Sequence, residues 1–304
     1  MKKFILRGAI LILLILLTDF LIGQIFGMMF NKVRSGSVYN TTYGIRDCKD
    51  QILIMGDSEV KHGLVSNLFS DSLGMSCYNL GLDGNNVFFQ YGMLREIVNR
   101  YTPEIIIISK SIALEAESSV TSLFPFYDDF LYVKETILEI APAEKYKLIS
   151  KAYMYNSLLL KIVPGIFRSD PETGGYSPLF SGQNRMNYNL VPDTVYFKGK
   201  STTRSRGYYD KFIRLAVSAG SRVIVITAPR FSYVKYAETD EFNEIVQNDD
   251  VIYLEYENDP TFTGHADYFY DEFHLNHKGA VVLTNRIIYD IKHKIPGLDD
   301  FPID

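Results

Sequence analysis

The chain has no tryptophan, two cysteines and five histidines among its 304 residues, and its 31 Lys and Arg are outnumbered by 36 Asp and Glu. Two cysteines, Cys48 and Cys77, cannot build a disulfide framework or a cysteine-only metal site, although an oxidising compartment would permit one bond between them. The net charge of -5 argues against a general nucleic-acid binder, which carries a basic footprint. Without tryptophan, the 14% aromatic content rests on 22 tyrosines and 20 phenylalanines. Tyrosine-rich surfaces suit sugar stacking, and tyrosine is equally ordinary core. Apolar residues make up 47% and charged residues 22%, enough to bury a full core, which excludes a disordered or collagen-like polymer. The length exceeds one average domain and falls short of two, so one core domain with a sizeable insertion or cap is expected.

The N-terminus sets the compartment. Lys2, Lys3 and Arg7 precede an apolar run from about Gly8 to Phe30, interrupted by Asp19 and Gln24. At about 1.5 Å rise per residue this run is long enough to span a bilayer. Positive charge on the short N-terminal side places that end in the cytoplasm and everything after residue 30 outside it, in the periplasm or extracellular space. A cleaved signal peptide competes, since Ala9 to Leu17 has the right length, but no small-x-small site follows. An uncleaved single-pass anchor over residues 1–30 is therefore expected. Asp19 either finds a proton or a partner helix within the membrane, or snorkels from a shorter or shifted span. An Asn-x-Thr sequon at Asn40 to Thr42 lies just beyond.

From residue 51 strands and helices alternate. Gln51 to Met55 is a short apolar strand, followed by a helix over Glu59 to Leu73 that Gly74 closes. Cys77 to Leu80 is a second strand. Val87, Tyr91, Leu94, Val98 and Tyr101 recur at helical spacing before Pro103. Ile105 to Ser109 is a continuous β-branched run, as a central parallel strand covered on both faces requires. The pattern resumes with a helix over Tyr208 to Ala219, strands at Arg222 to Thr227 and Val251 to Leu254, and a last helix from Asn276 to about Ile295. The expected fold class is α/β: a three-layer α/β/α sandwich with a mostly parallel five-stranded sheet. Residues 111–204 do not fit the repeat. They read as a mostly helical insertion after the third strand, placed to act as a cap or substrate platform over the site-bearing edge.

Two short segments and one loop carry candidate chemistry. Gly56-Asp57-Ser58 follows the first strand and opens the first helix, so the serine lies at the crevice where open α/β sheets bind ligands, beside a helix N-terminus. Ser58 could equally be a helix cap. Asp271-Glu272-Phe273-His274 precedes the last helix, and the three-residue spacing brings the carboxylate to the imidazole. Asp271 could then fix the ring while its other nitrogen serves Ser58 as general base; a structural histidine held by an aspartate is the alternative. Asn79 to Asn86 (NLGLDGNN) leaves the second strand, and a glycine there can point its N–H at a developing oxyanion.

Together these segments resemble the SGNH/GDSL hydrolase superfamily, whose sheet is flavodoxin-like. The resemblance covers residues 50–110 and 205–295. It implies Ser58 as nucleophile and oxyanion donor, Gly84 rather than Gly81 as a second donor, and Asp271 and His274 as the remaining catalytic pair. One block departs: the family usually places an asparagine after the third strand as a further donor, and here Ser109-Lys110-Ser111 follows instead. Ser109 or Ser111 is a candidate substitute. Losing such a donor costs about 2.7–4 kcal/mol of transition-state stabilisation. The anchored architecture is similar to that of proteins that O-acetylate exported polysaccharides or D-alanylate teichoic acid. The expected function is thus a serine esterase or acyltransferase acting on a small acyl group, acetyl foremost, of an exported glycan, with a membrane-embedded acyl carrier as a possible donor partner. A glycan-binding or assembly protein with weak or lost turnover is the rival.

Arg230, leaving the fourth predicted strand at the same edge, and Ser111 are candidate substrate contacts. Lys61 and His62 fit an exposed helix face better than the cleft. His265 and His277 flank the Asp-x-x-His segment, and no second cluster at ligand spacing suggests a metal or cofactor.

Overall fold

The computed structural model describes residues 1–110, 117–167, 173–180, 194–197, 203–236 and 251–295. Five strands form one sheet: β1 (Ile52–Met55), β2 (Cys77–Asn79), β3 (Ile105–Ser109), β5 (Arg222–Thr227) and β7 (Val251–Glu255). A separate pair joins β4 (Thr194–Phe197) to β6 (Tyr233–Tyr236), which the sequence pattern did not suggest. The main sheet is parallel throughout, in the order β2-β1-β3-β5-β7. The chain steps outward from β1 to β2 and then returns to the other side at β3. That reversal opens a crevice at the C-terminal ends of β1 and β3.

Alternation along the strands builds two cores. Leu53, Met55, Ile106, Ile108, Val223 and Val225 face one, with α5 (Val87–Arg100) and α9 (Thr203–Ser218) packed on it. Ile52, Ile54, Ile105, Ile107, Ile224 and Ile226 face the other, covered by α3 (Ser58–Gly63), α4 (Ser66–Leu73) and α10 (His277–Lys294). Both faces being buried explains why β1, β3 and β5 read as unbroken apolar runs.

The helix expected over Glu59 to Leu73 is two helices. The buried Asn79 side chain donates to the carbonyls of Val60 (2.8 Å) and Leu64 (2.9 Å), and Thr284 Oγ1 accepts from Val65 N (3.0 Å). These partners satisfy the groups that a break at Leu64-Val65 exposes.

Upstream of the sheet stand α1 (Lys2–Phe30) and α2 (Gly36–Arg46). Residues 117–167 are helical, with α6 (Leu131–Ile140), α7 (Glu144–Lys147) and α8 (Leu159–Phe167) joined by 3-10 turns. These residues pack on α5. Val120, Leu123, Phe126, Val133, Ile137 and Ile140 are buried in the same core as α5, and Glu96 Oε1 on α5 accepts from Tyr132 N and Val133 N at the start of α6 (2.8 and 3.0 Å). The apolar stripe of α6 needs a covering surface, and the outer side of α5 supplies it.

The cysteines are free and buried, with no disulfide. Cys48 belongs to the core on one face of the sheet and Cys77 to the core on the other, which is why they do not meet. Burial, foremost, pushes the Cys48 thiol up to about 12. The sequon asparagine is also inside: Asn40 is buried and accepts from Tyr78 Oη at 2.9 Å.

Candidate active site

The site begins where β1 ends. Gly56 adopts φ +148°, and a Cβ there would stand 2.2 Å from Ser109 Oγ and 2.8 Å from Val60 Cγ2, so only glycine fits. Asp57 is the N-cap of α3, its Oδ1 accepting from Glu59 N at 2.9 Å. The capping role that Ser58 could have filled thus falls to its neighbour. Ser58 opens the helix with its hydroxyl free for another partner.

That partner is His274. Its Nε2 lies 2.8 Å from Ser58 Oγ, and its Nδ1 lies 2.9 Å from both oxygens of Asp271. Asp271 Oδ1 also accepts from Phe273 N (2.9 Å) and His274 N (2.8 Å), which fixes the carboxylate against its own loop. The loop is closed by a bridge between Phe269 and Leu275 and by Asn276, which caps α10 through Gly279 N and donates to Asp267 O. Burial works against ionisation of Asp271, but the hydrogen bonds from His274 and the two backbone amides prevail and hold it below the usual carboxylate range. Burial likewise opposes the imidazolium. The hydrogen bond and charge of Asp271, with the charges of Glu59 and Asp57, prevail and raise His274 above its ordinary value.

The loop after β2 is bolted to this corner. Gly81 N donates to Asn79 Oδ1, Leu82 N to Gly56 O, and Gln90 Nε2 to Gly56 O. Gly81 spends its N–H inside the loop, whereas Gly84 sits in the left-handed region (φ +69°) with open space around it. Asp83, between them, meets Lys61 Nζ at 2.5 Å and His62 Nε2 at 2.9 Å. Lys61 is buried, and His62 Nδ1 lies 2.6 Å from Ser177 O. The exposed-face reading of Lys61 and His62 is therefore overturned: Asp83 and the segment 173–180 cover that face. Asp83 is itself partly buried, and the hydrogen bond with His62 and the charge and hydrogen bond of Lys61 more than offset that cost, driving its carboxyl well below the usual range. The His62 ring meets the His274 ring edge-on at 5.9 Å.

Arg230 is paired within the protein. Its Nη2 is 2.5 Å from Glu59 Oε1, both side chains being over nine-tenths buried, and its guanidinium lies 5.3 Å from the centre of the Phe273 ring. Burial and the charge of Asp57 push Glu59 up, against the pull of Arg230 and His274. Ser109 Oγ is buried over Gly56 with no hydrogen-bond partner among the described residues. Ser111 lies outside the described residues. His277 binds the segment 173–180 instead of the triad, through Tyr176 Oη (3.0 Å) and its own N–H to Leu179 O (2.6 Å); His265 packs on Tyr268. Among the described residues no group of three or more His, Cys, Asp or Glu stands ready to hold a metal ion.

No protein-family model and no curated protein matches the chain. The chemistry of the site therefore has to be read from its own geometry. Three participants escaped the sequence: Glu59, Asp83 and the segment 173–180. The sequence singled out neither Glu59 nor Asp83 as a site residue. The only signal for Asp83 was its place inside the glycine loop, and segment 173–180 was hidden in a polar, irregular stretch.

Proposed function

We propose that the chain is a membrane-anchored, extracytoplasmic serine esterase or acyltransferase of the SGNH/GDSL type, acting on a small acyl group, acetyl foremost, of an exported glycan. The observation that carries this reading is the unbroken line of hydrogen bonds from Ser58 through His274 to Asp271. The parallel sheet, with Ser58 at its switch point, suits the same family.

In this reading Ser58 Oγ attacks the acyl carbonyl carbon while His274 Nε2 takes the hydroxyl proton. The backbone N–H groups of Ser58 and Gly84 receive the oxyanion. The tetrahedral intermediate collapses, the leaving alcohol takes the proton from His274, and an acyl-serine remains. Water or a glycan hydroxyl, deprotonated by His274, then attacks the acyl carbon, and the second tetrahedral intermediate collapses as His274 returns that proton to the leaving Ser58 Oγ. Asp271 holds the imidazole tautomer and stabilises its charge. The helix α1, long and apolar enough to cross a membrane, with Lys2, Lys3 and Arg7 in its first turns, supports an N-in topology in the cytoplasmic membrane with the domain outside. A transferase would take its acyl group from a membrane-embedded carrier.

A second reading, a glycan-binding or assembly protein with weak turnover, is favoured by one observation: no asparagine follows β3, and Ser109 turns its hydroxyl onto Gly56. Hydrolysis of p-nitrophenyl acetate by the full chain in detergent separates the two. The catalytic reading expects turnover that both Ser58→Ala and His274→Ala reduce by about 10⁴-fold or more, because members of such a unit fail together. Turnover unchanged in Ser58→Ala would refute it.

A further inference from the structure

The helix α1 is not a bare tether. Residues 1–18 are exposed along their whole length, and from Asp19 onward one face of the helix is docked on the domain. Asp19 Oδ1 accepts from Ser150 Oγ (2.5 Å) and Ala152 N (3.4 Å), and its Oδ2 accepts from Lys151 N (2.8 Å). A Cβ on Gly23 would lie 2.5 Å from Lys151 Cβ, so helix and segment touch backbone to backbone. Further along, Phe26 and Phe30 pack on Tyr155 with centroids 6.4 and 5.7 Å apart, and Arg34 N donates to Gly165 O at 3.0 Å. The segment 150–165 thus climbs beside α1 from the level of Asp19 to its end at Phe30, about 17 Å at 1.5 Å per residue, and meets the chain again at Arg34.

At the foot of this climb, next to Ser150, stand Ile149 and Tyr146, 70% and 68% exposed. Lys145 lies over the Tyr146 ring, its Nζ 4.8 Å from the centroid. An exposed isoleucine beside a tyrosine and lysines, at the base of an apolar helix, is the composition of a membrane-interface contact.

We propose that Asp19 marks the outer edge of the hydrocarbon core, that Lys2 to Thr18 cross it, and that Tyr146 and Ile149 sit in the lipid headgroup layer, so that the domain rests on the bilayer. This rests on the reading of α1 as a membrane span. Residues 2–18 rise about 26 Å against a hydrocarbon core of about 30 Å, a mismatch that local thinning accommodates with Lys2, Lys3 and Arg7 snorkelling to the inner headgroups. Asp19 then lies outside the hydrocarbon with three donors on its carboxylate, which removes the cost of a bare buried charge. A span continuing to Phe30 would instead drag Ser150 and the Lys151–Asp128 ion pair (2.5 Å) into lipid.

The test uses the full chain with one added cysteine at a time, Ile12→Cys, Tyr146→Cys, Ile149→Cys or Leu160→Cys, the native cysteines being buried. Each is labelled with an environment-sensitive fluorophore and reconstituted into phosphatidylcholine vesicles carrying nitroxides near the headgroup or deep in the acyl chain. The label at 12 should be quenched by the deep nitroxide, those at 146 and 149 by the shallow one, and that at 160, higher along α1 and 92% exposed, by neither. An unquenched label at 12 overturns the membrane reading itself. Quenching at 12 without quenching at 146 and 149 overturns the docking alone and leaves that patch to a protein partner. Quenching at 160 as strong as at 149 also overturns it, because the boundary then lies farther along α1.

Discussion

Arg230 Nη2 lies 2.5 Å from Glu59 Oε1, so the residue directly after the candidate nucleophile is paired with the arginine that leaves β5. The same guanidinium supports Phe273, the neighbour of His274. One buried cation thereby ties together the two loops that must hold Ser58 and His274 in register.

Arg230→Met should therefore act on both stability and geometry. Above about pH 8, where the buried Glu59 is ionised, it strands that carboxylate without its counter-charge, a change that costs about 3–5 kcal/mol when a buried pair is broken from one side, and at lower pH the carboxyl takes up a proton and the loss is smaller. A lowered denaturation midpoint checks this. The double variant Arg230→Met/Glu59→Gln should recover much of the loss, since no orphan charge remains.

Asp83 is expected to matter for the loop that carries Gly84. Asp83→Ala removes the partner of the buried Lys61 and of His62. Stability should fall by about 1–3 kcal/mol, less than for a fully enclosed pair because Asp83 is half exposed. If the loop positions an oxyanion donor, kcat falls more than KM changes; steady-state kinetics at a temperature where the variant is folded measures the split.

The pH dependence follows from the shifts in the triad. His274 must be neutral to act as base, and it is held above its ordinary 6.5, so kcat/KM should rise through a pKa above 6.5. Asp271→Asn removes the main raising influence, so the limb should move to lower pH while the rate drops by about 10⁴-fold through the wrong tautomer. In stability, Asp271 is lowered from 3.8 and contributes above that value, losing its contribution as pH falls through its folded pKa. His274 contributes below 6.5 and loses its contribution as pH rises through its raised folded pKa. Their joint contribution is fullest between about 4 and 6.5, which denaturation midpoints across pH would reveal.

Truncation at residue 31 should not give a well-folded soluble domain. Phe30 is 3% exposed and packs on Phe126 at 5.5 Å and on Tyr155. Removing a buried phenylalanine costs about 3–5 kcal/mol. A fragment beginning near Asp19 should melt higher than one beginning at residue 31.

The sheet was legible because β1, β3 and β5 are buried on both faces and so read as unbroken apolar runs. Ser58, Asp271 and His274 were legible because each lies at an element boundary, beside a strand end or a helix start. What was not legible depends on contacts remote in sequence. The break at Leu64-Val65 is satisfied by Asn79 and Thr284, which local propensity does not encode. The covering surface of residues 117–167 was not legible because an apolar stripe does not name its partner, which is α5, whereas segment 173–180 of the same insertion lies against His62 and His277. Arg230, Lys61 and His62 looked available or solvated because a charge shows no partner in the sequence. Their partners, Glu59 and Asp83, lie on other elements.

Covalent labelling of the full chain with a fluorophosphonate, followed by peptide mass mapping, tests directly whether Ser58 is an activated nucleophile. The reagent reports only a serine whose hydroxyl is activated and accessible. Labelling confined to Ser58, and sharply reduced in His274→Ala, is expected of a nucleophile activated by His274. A wild-type chain that stays unlabelled while a reference serine esterase in the same sample reacts, or one labelled elsewhere, would contradict it.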